Sequence, residues 1–161
     1  MLFKLDRLRS EMMEKYIGIL SVLYIVITIA KLKDNKKSFK EHLEEFKAIK
    51  TKLELVAQQQ NPFIMMKFLN SVFYFFLFLY YVAVLVFFDQ YLIIDLLTYL
   101  LILVSAYRLG RKLLINSIED FEETIKYEKD KYKKKRKFDF VIGLVEFAYA
   151  FNALSLISFY H

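Results

Sequence analysis

Residues 68–88 read FLNSVFYFFLFLYYVAVLVFF, with no charged residue between Lys67 and Asp89. As a helix rising about 1.5 Å per residue, this run is roughly 30 Å long, the thickness of a bilayer's hydrocarbon core, and it carries large apolar side chains on every face. It predicts a membrane helix. Only Asp89 and Gln90 separate it from a second apolar run, 91–107, so the two must be antiparallel neighbours joined by a tight turn. The rest of the chain is arranged about that hairpin.

Composition sets the class. The 161 residues are 57% hydrophobic, above the ~45–50% of ordinary soluble domains, and one membrane domain is the natural count. Three glycines and one proline leave few helix breaks, which weighs against a transporter built on unwound half-helices. With no cysteine, disulfides, thiolate catalysis and Cys-based metal or haem attachment are excluded. His42 and His161 are isolated from any metal-spaced cluster, so no metal or cofactor is expected.

The net charge of +6 is a topology signal. Of the 24 Lys and Arg, nine lie between Lys31 and Lys67, eleven between Arg108 and Lys137, and four in residues 1–15. The Asp89-Gln90 turn and everything after Lys137 have none. The positive-inside rule therefore places both long lysine-rich loops in the cytoplasm, or in the matrix of an organelle, and the turn outside.

In chain order, residues 1–15 carry Leu2, Leu5, Leu8 and Met12 on one stripe among charges, which predicts an interfacial helix. A first span follows at 16–31, bounded by Lys15 and Lys31. Over 36–60, Ser38-Phe39-Lys40-Glu41 is a capping-box sequence, and Phe39, Leu43, Phe46, Ile49, Leu53 and Val56 recur at helical spacing. That is a cytosolic amphipathic helix, ended by Asn61-Pro62. Its lysines are balanced by Glu41, Glu44, Glu45 and Glu54, a weak phosphate footprint, so no nucleic-acid partner is expected. The hairpin spans are 63–88 and 91–109. A second cytosolic helix is expected over 110–137, its stripe of Leu114, Ile118, Phe121, Ile125 and Tyr132 packing on the first, with Gly110 as the weak point at its start. The last span is 138–160. The fold expected is all-α, with four membrane helices and two amphipathic ones. The basic run Lys133, Lys134, Lys135, Arg136 and Lys137, directly before the last span, is expected to contact anionic lipid head groups.

Four acidic residues lie in the membrane zone: Asp89, Asp95, Asp139 and Glu146. Glu146 is about 12 Å in from Phe138 by helical rise, where a carboxylate costs at least ~2.5 kcal/mol and faces protein or a water-filled cavity. Asp139, Gly143, Glu146, Ala150 and Ala153 share one helical face, small residues around a polar one, as in membrane helices that pack closely. Two readings of this face compete. In one, neutral Glu146 bonds to a hydroxyl of Thr98, Tyr99 or Ser105, and Arg108 pairs with Asp139. In the other, Glu146 lines the pore of a homo-oligomeric cation channel or membrane-permeabilising effector.

The function expected is that of a non-enzymatic membrane protein, a self-associating or accessory subunit that assembles with copies of itself or with other membrane subunits. The order of membrane helix, cytosolic helix and membrane hairpin also resembles the layout of Oxa1-type membrane-insertion factors. That resemblance implies a basic side chain in a hydrophilic membrane groove, and the deepest one available is Arg108.

Overall fold

The computed structural model describes residues 2–124 and 129–159, with side chains described for 11–124 and 131–159. Among these residues the fold is all-α, and four helical stretches are long and apolar enough to cross a membrane: Glu11–Asp34, Pro62–Phe87, Leu92–Leu113 and Lys131–Phe159.

The first helix, α1 (Leu2–Asp34), is continuous. The boundary expected between residues 15 and 16 falls inside it, because neither a proline nor a capping side chain stands there to turn the backbone, and Gly18 alone costs a helix only about 1 kcal/mol. The stripe of Leu2, Leu5 and Leu8 lies outside the described side chains. Helix α2 (Phe39–Ala57) begins at the expected capping box. The Ser38 Oγ accepts from the Glu41 N–H at 3.3 Å, and the Ser38 N–H donates to Glu41 Oε2 at 2.7 Å. Asn61-Pro62 does more than end that segment. The Asn61 side chain accepts from the Phe63 N–H at 3.0 Å, and Pro62 occupies the first turn of α3 (Pro62–Phe87), where its missing N–H costs nothing.

Helix α4 (Leu92–Leu113) passes through Gly110 unbroken. The single helix expected over 110–137 is not formed. The chain leaves α4 at Leu114, and a short α5 (Ile118–Glu123) starts from a second capping box, Ser117 with Asp120. The Asp120 carboxylate accepts from the N–H groups of Asn116 at 2.8 Å and Ser117 at 3.1 Å. Asn, Ser and Asp side chains here compete for backbone N–H groups and so favour a cap over a helix interior. Helix α6 (Lys129–Phe159) then carries the basic cluster and the last span on one rod. The stripe on the expected helix is met in part: Phe121 stacks on Phe46 with ring centroids 4.8 Å apart, and Tyr132 packs on Phe39 and His42. Ile125 lies outside the described residues.

The four spans form two antiparallel pairs. In one, α1 lies along α6, with Leu32 over Gly143 at one end and Ile17 and Ile157 buried at the other. In the second, α3 and α4 form the hairpin, with Tyr81 opposite Ser105, Asn70 opposite Lys112, and Lys67 hydrogen-bonded to Asn116. The core between the pairs contains Leu77, Val84, Phe88, Leu101 and five buried tyrosines, Tyr24, Tyr74, Tyr80, Tyr81 and Tyr149. Large apolar residues such as Leu23, Val26, Phe75, Val82 and Leu103 point outward, as they do on a lipid-facing surface.

Candidate functional site

Glu146 is 1% exposed. Its Oε1 accepts from Arg108 Nη1 at 2.6 Å, and its Oε2 accepts from Lys31 Nζ at 3.0 Å. Arg108 Nη2 also reaches Asp139 Oδ1 at 3.3 Å. The directions of the helices account for this convergence. Side chains tilt toward a helix's N-terminus. On α1 and α4, which run toward the lysine-rich end, Lys31 and Arg108 tilt back into the bundle. On α6, which runs away from that end, Glu146 tilts to meet them. Two cations and two carboxylates form one network without net charge.

The expected ion pair of Arg108 with Asp139 is present, but the expected surroundings of Glu146 are not. Thr98 bonds to Tyr149, Ser105 lies against Tyr81, and Tyr99 faces outward. Position along α6 alone gives Glu146 no cation, since Lys31 and Arg108 come to it on long side chains from neighbouring helices. Lys31 is the site residue that the sequence reading missed. Its signal was available in principle, since Lys31 lies at the end of an apolar run at the same end of the bundle as Arg108.

The small-residue face is buried within the chain itself. Ala150 and Ala153 are in the core, and a Cβ built on Gly143 would come within 2.9 Å of Leu32 Cδ2. Helix α1 fills this face, and Glu146 is turned inward with its oxygens held by cations of its own chain. Likewise Arg108, the basic side chain that the insertion-factor layout points to, is engaged by two carboxylates.

Beyond the charges lies a layer of hydroxyls. Tyr24 Oη and Tyr81 Oη are 2.8 Å apart, and Tyr81 Oη is 3.4 Å from Ser105 Oγ. Ser21 Oγ meets Tyr80 Oη at 2.8 Å, and Thr98 Oγ1 meets Tyr149 Oη at 2.7 Å. The rings of Tyr80 and Tyr81 pack edge-on against Tyr24 and Tyr149, an arrangement that places each ring's positive edge on its neighbour's negative face. Most of these polar contacts cross between the α1/α6 pair and the α3/α4 pair. The two pairs are thus joined through hydroxyls and charges, the interactions that hold helices together where water is absent.

At the lysine-rich end, Asp139 borders a cleft of about 350 Å³ between the α1–α2 turn, α2 and α6. Lys37 bridges its mouth to Asp34 at 2.9 Å and Glu45 at 2.7 Å. Those two hydrogen-bonded carboxylates hold the Lys37 ammonium well above the ordinary lysine range. Of the basic cluster, Lys133, Lys134, Lys135 and Lys137 are exposed. Arg136 is half-buried and donates to the Lys37 carbonyl at 3.0 Å, beside the Tyr132 hydroxyl at 3.2 Å. Among the described residues no group of three or more His, Asp or Glu gathers to hold a metal. Compared with protein families, curated proteins and solved structures, the chain has no significant match.

Proposed function

We propose that this chain is a non-enzymatic integral membrane protein, a subunit that works by holding other membrane components, with its lysine-rich end in the cytoplasm or matrix. The observation that carries this reading is the uneven use of α2. Its apolar stripe is covered over Phe39 to Phe46 by Tyr132 and Phe121. Further along, Leu53 is half-buried, but Ile49 and Val56 are exposed, at 49% and 40%. An amphipathic helix with part of its stripe open is a groove-filling element for a partner helix. The deep carboxylate and its cations serve to fasten the bundle, and the exposed Lys133, Lys134, Lys135 and Lys137 meet anionic head groups where α6 enters the bilayer.

The test is the size of the native assembly. In membranes of the source cell the wild-type protein is expected to migrate as a larger particle than the same chain expressed alone in a foreign host. Ile49→Glu with Val56→Glu is expected to collapse that particle to the smaller size. Equal sizes from both sources, or no effect of the double substitution, would overturn the subunit reading.

A further inference from the structure

At the lysine-rich end of the hairpin, two ammonium groups are held by amides instead of carboxylates. Lys112 Nζ, from α4, donates to Asn70 Oδ1 of α3 at 3.0 Å, and Lys67 Nζ, from α3, donates to Asn116 Oδ1 just beyond α4. Each lysine is thus held by the opposite arm. The amides are themselves fixed. Asn70 Nδ2 donates to the Met66 carbonyl at 2.7 Å and Asn116 Nδ2 to the Leu114 carbonyl at 2.9 Å, which leaves both amide oxygens for the lysines. An ammonium has three donors, so two N–H groups on each lysine remain for another acceptor.

No carboxylate is placed to take them. Helix α3 contains no acidic residue, and the only one in α4, Asp95, stands in its first turn at the opposite end. Asp120 is turned to the N–H groups of Asn116 and Ser117, and among the described residues neither lysine makes an ion pair. Arg108, one turn before Lys112, is balanced by Glu146 and Asp139, so Lys67 and Lys112 are charges in excess of that network. Their depth makes the excess matter. The Lys112 ammonium lies 5.4 Å from the ring centre of Tyr74. By helical rise Asn70 is about 4.5 Å and Tyr74 about 10 Å past Lys67 along the uncharged run. Lys112 thus extends its charge back toward the hydrocarbon, where a cation without a counter-charge is expensive.

The two lysine–amide contacts are about one helical turn apart along the hairpin, roughly 5 Å, so one phosphate can accept hydrogen bonds from both ammonium groups. The phosphates of surrounding lipids lie at this level, whereas inorganic phosphate would have to leave bulk water to reach it. We propose that Lys67 and Lys112 form a binding site for the phosphate of an anionic phospholipid at the lysine-rich end of the α3/α4 hairpin, with Asn70 and Asn116 positioning the two ammonium groups. The site belongs to the other helical pair from the exposed lysines of α6, and it does not depend on whether α2 has a partner.

The test is native mass spectrometry of the chain expressed alone, released in mild detergent and titrated with dioleoylphosphatidylglycerol or dioleoylphosphatidylcholine. Wild-type protein is expected to retain phosphatidylglycerol in preference to phosphatidylcholine, and excess inorganic phosphate is expected to leave it bound. Lys67→Gln with Lys112→Gln is expected to weaken that binding about tenfold or more, the loss of a charge-assisted hydrogen bond. Lys67→Arg with Lys112→Arg keeps both charges and is expected to retain the lipid, which separates loss of charge from loss of fold. Lys47→Gln with Lys52→Gln removes two exposed charges from α2 and is also expected to leave the lipid bound. Equal binding of the two lipids, displacement by inorganic phosphate, unchanged binding in the Lys67 and Lys112 glutamine variant, or an equal loss in the arginine or the α2 variant would overturn the proposal.

Discussion

Glu146 and Arg108 meet at 2.6 Å from helices that run in opposite directions, one from each of the two helical pairs. With Lys31 and Asp139 the four charges cancel, so the bundle carries an ionic joint without net charge. Such a joint is costly to desolvate, and its worth lies in fixing register: removing one member strands the others. The partners are not equivalent. Arg108 holds two carboxylates and its side chain is 24% exposed, whereas the Lys31 side chain makes one such contact and is 37% exposed. Arg108→Gln is therefore expected to destabilise the bundle by about 3 kcal/mol or more. Lys31→Gln, discounted for solvent screening, is expected to cost under about 1 kcal/mol. Unfolding in detergent micelles would rank them.

At Gly143 the α1/α6 contact sets a size limit. The nearest obstacle to a Cβ is the end of the Leu32 side chain, which can rotate aside. Gly143→Ala is expected to change stability by less than about 1 kcal/mol, since the gain in helix propensity offsets the displacement of Leu32. Gly143→Phe must push α1 away and is expected to cost about 1–3 kcal/mol. Thermal unfolding of the two variants checks the difference.

The hydroxyl layer predicts an order among tyrosine-to-phenylalanine changes. Without the Tyr149 hydroxyl, Thr98 still donates to the Ile94 carbonyl at 2.6 Å, so Tyr149→Phe should cost about 0.5 kcal/mol or less. The Tyr81 hydroxyl serves both Tyr24 and Ser105. Tyr81→Phe should cost about 1–2 kcal/mol, within the range for hydrogen bonds between membrane helices. The same unfolding assay distinguishes them, and equal losses would contradict the assigned hydrogen bonds.

The contact of α2 with α6 should depend on pH. His42 stacks on Tyr132 with centroids 4.9 Å apart. Burial first, then the nearby Lys135 charge, lowers the imidazole's affinity for a proton, with Glu45 opposing. The unfolded chain then binds more protons than the folded one near the ordinary histidine value of about 6.5. The stabilisation is complete above that pH and is lost as the pH falls through the folded value. Glu41 shifts downward too, through the hydrogen bond from the Ser38 N–H, but that contribution is lost only in the carboxylate range. Between pH 7.5 and 5.5, hydrogen exchange over the first turns of α2 should accelerate, and His42→Phe should remove the change.

The parts of the structure legible in the sequence are those governed by local rules. The uncharged runs, the Ser38 capping box and the turn at Asp89-Gln90 each declare themselves within a few residues. Ser117 and Asp120 form a cap by the same rule, but the apolar stripe through Ile118 and Phe121 has helical spacing across it, so periodicity alone does not show the break in the 110–137 segment. Glu146 was recognisable as a deep carboxylate on a packing face. Its partners were not, because Lys31 and Arg108 are 115 and 38 residues away in sequence and only the antiparallel pairing of α1 with α6 brings the former into reach. The small residues around Glu146 likewise signalled close packing without telling whether the approaching helix belonged to the same chain.

The most direct test of an ionic joint inside one chain is a double-mutant cycle on Glu146 and Arg108, read as unfolding free energy of the 161-residue chain in micelles. Glu146→Gln and Arg108→Gln are each expected to lose about 3 kcal/mol or more, and the double variant to lose less than their sum by over about 1 kcal/mol. Single losses within about 0.5 kcal/mol of the wild type that simply add would mean that Glu146 and Arg108 do not hold the two helical pairs together.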